Sequence, residues 1–334
     1  MRTDADATDP HRKSGSAPRV IHTGQALVDL IVEVPDLPAR GQNVMASSAN
    51  RYAGGAVTVL LAAARLGAGC VHAGAVGTGP NGDLIRAVLA ADGIAASAPP
   101  VPDRDTGVCV VMVELTAERT FVTTLGAERH ITVDSLATTG VEPGDLVCVT
   151  GYSLAVGRTR DPLLAWLADL PDEAVVVLDP GAAFAGLPAE VRERMLARTD
   201  VWTGNAEESA DLLSVLDVVT PGTDAESAIA AHARALAPLM RAGAVAVVRD
   251  GAAGCAVHSN GETFSIPGFP QTPVDTNGAG DTHTGALLAA IAAGSPWPDA
   301  CRRANAAAAI KVTRRGPTTA PTAAEVDAFL HDRS

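Results

Sequence analysis

The chain has 334 residues, 47% of them hydrophobic but only 3% aromatic, and its 25 basic and 38 acidic side chains leave a formal charge of −13. A core of that composition must be built from Ala, Val and Leu, which suits helices packed closely on a sheet, while an acidic chain without a basic run or stripe excludes nucleic acid as an expected partner. No apolar run free of Gly, Pro and charge reaches membrane-span length, and the five scattered cysteines, none in a CxxC pair, are expected as buried thiols in a reducing cytoplasm.

Residues 1–18 carry Asp4, Asp6, Asp9, Pro10 and Pro18 without an apolar centre, so a disordered tail is expected there rather than a targeting peptide. A first strand runs from Val20 and stops at Gly24. Ala26 to Val34 reads as a second, with Asn43 to Asn50 as its partner, before any helix begins. Ala56 to Leu66 is a strong helix that Gly54 and Gly55 open and Gly67 ends. Cys70 to Val76 is a strand and Asp83 to Ala91 a helix. Thr106 to Glu114 and Arg119 to Thr124 form a hairpin about Leu115–Glu118. The two early strand pairs would make a small separate sheet.

From residue 146 the pattern is regular α/β. Strands are expected at Leu146–Thr150, Ala174–Leu178 and Ala244–Arg249, a short strand with its loop over Val201–Asn205, and a pair at Gly254–His258 and Glu262–Ile266. Helices are expected at Pro162–Leu170, Pro188–Arg198, Glu207–Leu216, Ala225–Leu236, Pro298–Thr313 and Ala323–Leu330. Such alternation implies a mostly parallel sheet covered on both faces.

Two glycine-containing turns compete as ligand loops. Gly77-Thr78-Gly79-Pro80-Asn81-Gly82 satisfies GxGxxG between a strand and a helix, the context of a dinucleotide fingerprint, but Pro80 stiffens it where a pyrophosphate needs N–H groups. Asp275-Thr276-Asn277-Gly278-Ala279-Gly280-Asp281 runs into the buried helix Leu287–Ala293. A Gly-Ala-Gly turn at a helix start leaves N–H groups unpaired beside the positive end of the dipole, where anions bind. Asp281 beside such a site pairs a charge holder with a proton acceptor, which suits phosphoryl transfer to a hydroxyl. Taken alone, the stretch is equally compatible with Asp281 as an ordinary helix-start acid.

With these residues in view, the chain resembles the PfkB carbohydrate kinases, the ribokinase-like sugar kinases, from about Val20 to Leu330. The resemblance implies a three-layer α/β ribokinase-like fold over residues 19–330, a central mostly parallel sheet and a β-sheet lid from about 25–52 and 106–125. It implies that Gly278, Ala279 and Gly280 form the anion hole and Asp281 the catalytic base. ATP and Mg²⁺ are the implied cofactors, with Asn205 and Glu208 acting on nucleotide phosphates and metal-bound water, and Arg249, Gly251, Gly254 and Asn305 along the nucleotide. By itself the Asn205/Glu208 pair reads equally as a helix cap; Arg249 could instead pair with Asp250, and Asn305 could be a packing residue.

On the acceptor side the resemblance implies Asp29, Gly54, Gly55 and Glu128 around a sugar. Thr58 stands where relatives usually carry Asn, so the identity of the sugar does not carry over. His283, where relatives often have Phe, is expected to pack within the helix. Asp275 and Asn277 match part of a K⁺ site. A homodimer through the lid edges is expected. Besides a sugar kinase, a nucleoside kinase of the same fold, an NAD-dependent oxidoreductase built on Gly77–Gly82 and a non-catalytic sugar sensor stay open.

Overall fold

The computed structural model describes residues 17–116, 118–219 and 227–333. The expected tail, apart from Ala17 and Pro18, lies outside the described residues, as do Ala117 of the hairpin turn and the first two residues of the helix expected from Ala225. In chain order the strands are β1 (Arg19–His22), β2 (Ala26–Glu33), β3 (Ser48–Gly55), β4 (Gly69–His72), β5 (Ala95–Ala96), β6 (Val108–Val113), β7 (Arg119–Thr123), β8 (Leu146–Thr150), β9 (Val175–Asp179), β10 (Val201–Asn205), β11 (Val245–Arg249), β12 (Gly254–Ser259) and β13 (Glu262–Pro267).

Nine of them form one sheet in the order β13-β12-β11-β10-β9-β8-β1-β4-β5. It is parallel from β11 to β5, and only β12 and β13 run against their neighbours. The reason is visible in Leu146-Val147-Cys148-Val149. All four are buried, because helices cover both faces. Side chains alternate between those faces. Val147 and Val149 join one core with Trp202, Leu163 and Leu212, whereas Leu146 and Cys148 join another with Val57, Leu60 and Leu288. The five cysteines are free and buried, as expected.

The four remaining strands form a second sheet, β3-β2-β6-β7, the small separate sheet expected from the two early strand pairs. Its second strand lies later than expected: the ladder with β2 runs over Ser48–Gly55, not Asn43–Asn50. Residues 43–47 precede it, and the strand continues straight to the helix Ala56–Arg65. Its last two residues must be glycine. A Cβ on Gly54 would lie 2.2 Å from Asp29 Oδ2, and Gly55 has φ 62° with Gln25 O 2.3 Å from where a Cβ would stand. Among the described residues no helix is long and apolar enough to cross a membrane.

Candidate functional site

Ladder register places Thr150 beside Asp179 and Asn205 beside Arg249, so four polar residues end β8, β9, β10 and β11 at the same edge of the sheet. Carboxyl ends of parallel strands are where α/β sheets bind ligands. Opposite this edge starts the helix Ala279–Ala292, with Gly278 as its N-cap at φ 77°, the left-handed region that favours glycine. Between the two lies a cavity of about 380 Å³ whose lining includes Asp179, Asn205, Glu208, Arg249, Gly280 and Asp281.

The first intrahelical bond accepted at this helix start is Thr282 N–H to Gly278 O at 2.9 Å, so the N–H groups of Gly280 and Asp281 precede any helical acceptor. The Ala279 N–H turns back to Thr276 O at 3.2 Å and is already engaged. Asp281 lies half-buried at the same point. Burial first, and then the Asp179 carboxylate, push its pKa up to about 7, against the opposing pull of Arg249. A carboxylate poised near neutrality beside free N–H donors can accept a proton from a hydroxyl while an anion is held alongside.

Arg249 lines the cavity and does not pair with Asp250. It is buried, and Nη1 donates to Gly280 O at 2.7 Å and to Thr284 Oγ1 at 3.2 Å, while Nη2 donates to Thr203 O at 3.3 Å and lies 3.8 Å from Asp179. Its partner is Asp179 rather than Asp250, and it braces the Gly278–Gly280 turn from the sheet side. Asn205 and Glu208 form a reciprocal cap: Asn205 Oδ1 accepts from Glu208 N–H, and Glu208 Oε2 accepts from Asn205 N–H, both at 2.8 Å. The cap reading therefore holds, and both residues line the cavity as well. Burial, and then Asp179, raise the Glu208 pKa.

Asp179 is the residue that sequence reasoning passed over. It accepts from Thr284 Oγ1 at 3.2 Å and is the largest charge influence on Asp281. Its signal was present in Asp179-Pro180-Gly181 at a strand end. The cluster of Asp179, Glu208 and Asp281, offset by Arg249 and more weakly by Lys311, suits a cation that keeps its water, as Mg²⁺ does on a nucleotide. Among the described residues no group of side chains forms a metal cage by itself.

A second, more apolar cavity of about 270 Å³ adjoins the first through Gly251, Ala279, Asn305 and Ala308, with Phe269, Ala309 and Val312 further in. Gly251 (φ 48°) opens its floor, and Gly254 (φ 103°) crosses Ile266 O so closely that a Cβ would lie 2.2 Å away. Asn305 corrects one expectation. Its Nδ2 donates to Ile266 O and Pro267 O at 3.2 and 3.1 Å, and its Oδ1 lies 3.1 Å from His283 Nε2, so the amide is spent internally. It walls the cavity without a free polar group. His283 packs buried in the helix, as expected.

On the lid side Asp29 meets the site from β2, with its pKa raised to about 6 by burial. Thr58 is buried one turn into the helix from Gly55, and its Cγ2 would be 3.1 Å from a Cβ on Gly278. Thr58 therefore backs the turn at Gly278. Glu128 is a further correction. It is buried, and its oxygens accept from Gly107 N–H and Gly126 N–H, each at 2.8 Å. Its carboxylate fastens the hairpin base instead of offering itself to a hydroxyl.

The competing loop at Gly77–Gly82 is closed by the chain itself. Asp105 Oδ2 accepts from Asn81 N–H at 3.1 Å and Oδ1 from Gly82 N–H at 2.9 Å. A Cβ on Gly79 would strike the Asp105 carboxyl at 2.4 Å. With its donors filled by a carboxylate, this helix start has no place for a pyrophosphate.

Residues 17–324 match the profile of the family described as pfkB family carbohydrate kinase. The chain is 32% identical over 312 residues to the uncharacterized sugar kinase YegV of Escherichia coli strain K12, covering 92% of each chain. It resembles the crystal structure of ribokinase from Thermotoga maritima with a TM-score of 0.77 at 22% identity, over 94% of this chain and 99% of that one. It also resembles fructokinase from Vibrio cholerae O395 in its fructose, ADP and calcium ion bound form, with a TM-score of 0.74 at 25% identity and the same coverage.

Proposed function

The chain belongs to the pfkB family of carbohydrate kinases, and from that premise we propose that it moves a phosphoryl group from ATP to a hydroxyl of a sugar or sugar-like alcohol, with Asp281 as the base. One observation carries the assignment of roles. Asp281, with a pKa of about 7, stands in one cavity with the uncapped N–H groups of the first helical turn.

In this reading Gly280 and Asp281 N–H groups hold the transferring phosphoryl from the loop side, with Gly278 and Ala279 supplying the turn that aims them. Arg249 keeps Gly280 in place through its carbonyl. The adjoining apolar cavity takes the planar base over Gly251, with Gly254 at the border on the first cavity's side and Asn305 as wall. Asn205, Glu208 and Asp179 would hold hydrated Mg²⁺, which when bound neutralises phosphate charge. Bound ADP and a cation in the Vibrio fructokinase support that nucleotide side.

The acceptor lies between this edge and the lid. Asp29 holds its hydroxyls, and Gly54, which has no room for a side chain, brings the strand close to that carboxylate. Thr58 shapes the far wall but offers less than an amide would. Lid closure over the acceptor excludes water, so that transfer to the sugar outruns hydrolysis of ATP. Two lids pair through the outer strand β7, which exposes Phe121 and Val122.

The test is a coupled ATP-consumption screen over ketoses, aldoses, deoxy acids and nucleosides, run alongside the Asp281→Asn protein. A saturable, acceptor-dependent rate that vanishes in the variant is expected. Acceptor-dependent turnover that survives in Asp281→Asn would remove Asp281 from its role, and a preference for nucleosides would move the acceptor class. Sedimentation at micromolar concentration reads the dimer, and a monomer would end that part of the proposal.

A further inference from the structure

Lys311 is one of only two lysines in the chain and is fully buried. It ends the helix Trp297–Lys311, and its Nζ donates to Asp275 O at 3.0 Å and to Arg314 O at 3.4 Å. Among the described residues no carboxylate lies within ion-pair distance of it. A buried ammonium without a carboxylate partner is costly unless oriented oxygens replace its water. Here backbone carbonyls do so, and they belong to the loop that becomes the anion hole and to the turn that follows the lysine's own helix.

The same two segments are joined by further bonds. Val274 N–H and Asp275 N–H donate to Val312 O at 2.7 and 3.1 Å. Asp275 Oδ1 accepts from Asn277 N–H at 2.9 Å, Oδ2 accepts from Gly316 N–H at 2.9 Å, and Arg119 Nη2 lies 3.3 Å from Oδ1. The residues expected to hold K⁺ therefore do not fit that ion. The Asp275 carboxylate is engaged by two N–H groups and an arginine, and the Asp275 carbonyl already faces an ammonium. An ammonium and K⁺ are monovalent cations of similar size that ask for the same oxygens. A lysine brings its own, covalently fixed.

We propose that the Lys311 ammonium is a built-in cation that takes the place of K⁺ beside the anion hole, fixing the Asp275–Gly280 loop so that the reaction needs no monovalent metal ion. Lys311 acts as a positioning residue. It touches neither nucleotide nor acceptor, and it works through the carbonyl of Asp275 on the loop that aims the Gly280 and Asp281 N–H groups. Deleting the charge would leave carbonyls facing an empty space that K⁺ or NH₄⁺ can enter and a bulky cation cannot.

The proposal rests on the phosphoryl-transfer reading, but its test includes ATP affinity and melting, which need no turnover. The full chain is assayed in KCl, NH₄Cl and tetramethylammonium chloride at equal ionic strength. Rate, ATP affinity and melting temperature are expected to agree across the three within about twofold or about one degree. For Lys311→Met in tetramethylammonium, kcat is expected to fall about tenfold or more, as for loss of a preorganising charge. ATP binding should weaken with it, and both should recover with K⁺ or NH₄⁺. Several-fold activation of the unmodified chain by K⁺, or a saturable rise of its melting temperature with K⁺, would overturn the proposal even if Lys311→Met fails to fold. So would a folded Lys311→Met whose loss no small cation restores. If no acceptor is phosphorylated at all, the kinase reading falls while the binding and melting arms still decide the role of Lys311.

Discussion

Gly77–Gly82 and Gly278–Asp281 are built alike, each a short glycine turn whose last residues open a helix and leave N–H groups pointing outward. At the first, Asp105 reaches across from the start of the lid hairpin and fills the Asn81 and Gly82 donors. At the second, the nearest carboxylates, Asp179 and Asp281, line the cavity and leave the turn open, while Arg249 grips a carbonyl and not a donor. The turn that satisfies GxGxxG is the closed one. A glycine turn at a helix start is a general anion receptor; which anion occupies it depends on what the remainder of the chain brings to it.

The sharpest way to break this contrast is Asp281→Asn, expected to lower kcat by about 10²–10⁴-fold with ATP affinity nearly unchanged. Turnover within a few-fold of the native value would mean that the open turn has no base. Next in size is the pH profile. Because burial and Asp179 raise Asp281 to about 7, the base is protonated below that value, and kcat/KM should fall about tenfold per pH unit on the acid side. A flat profile from pH 5 to 8 would sink the assignment. The closed turn should respond in stability alone. Asp105→Ala removes a helix-start acceptor at a cost of about 0.5–2 kcal/mol, with kcat unchanged and no binding of NADH by fluorescence titration.

The smallest effect concerns stability at the open site. Asp281 has a higher pKa folded than unfolded, so its stabilising contribution is full below the ordinary carboxylate value, near 3.8, and is lost as pH rises through about 7. Asp29 behaves alike, its contribution lost as pH rises through about 6. The free protein should therefore melt a few degrees lower at pH 8 than local effects elsewhere would give, and Asp281→Asn should recover part of the difference. A lower melting temperature for the variant at pH 8 would contradict a strained, functional carboxylate. Mg²⁺ with ATP should offset the same repulsion and raise the melting temperature.

Much of this was written locally. Leu146–Thr150 was legible to the residue, because a strand buried on both faces reads as a near-continuous apolar run, whereas Val201–Asn205 read as a short strand with its loop and is strand throughout. The Gly-Ala-Gly turn before a long buried helix and the acid at its first turn were equally visible. The second lid strand was misplaced because its end is set by Asp29 lying across Gly54, a contact between residues 25 positions apart. Asn305 and Glu128 were read as ligand groups since their types suit the task, but their hydrogen bonds go to Ile266, Pro267, Gly107 and Gly126.

What the sequence determined by itself was therefore the order of elements, the parallel layered sheet and the acid at the start of a buried helix, which follow from periodicity and short-range turn chemistry, while the family came from the resemblance carried by the Asp275–Asp281 stretch. Tertiary structure decided which polar groups remain free. Asp105 closes one loop from 24 residues away, Asp179 joins the site from a neighbouring strand, and Lys311 meets Asp275 across 36 residues. A backbone N–H has one proton to donate, and whether it is already spent depends on partners brought together by the fold.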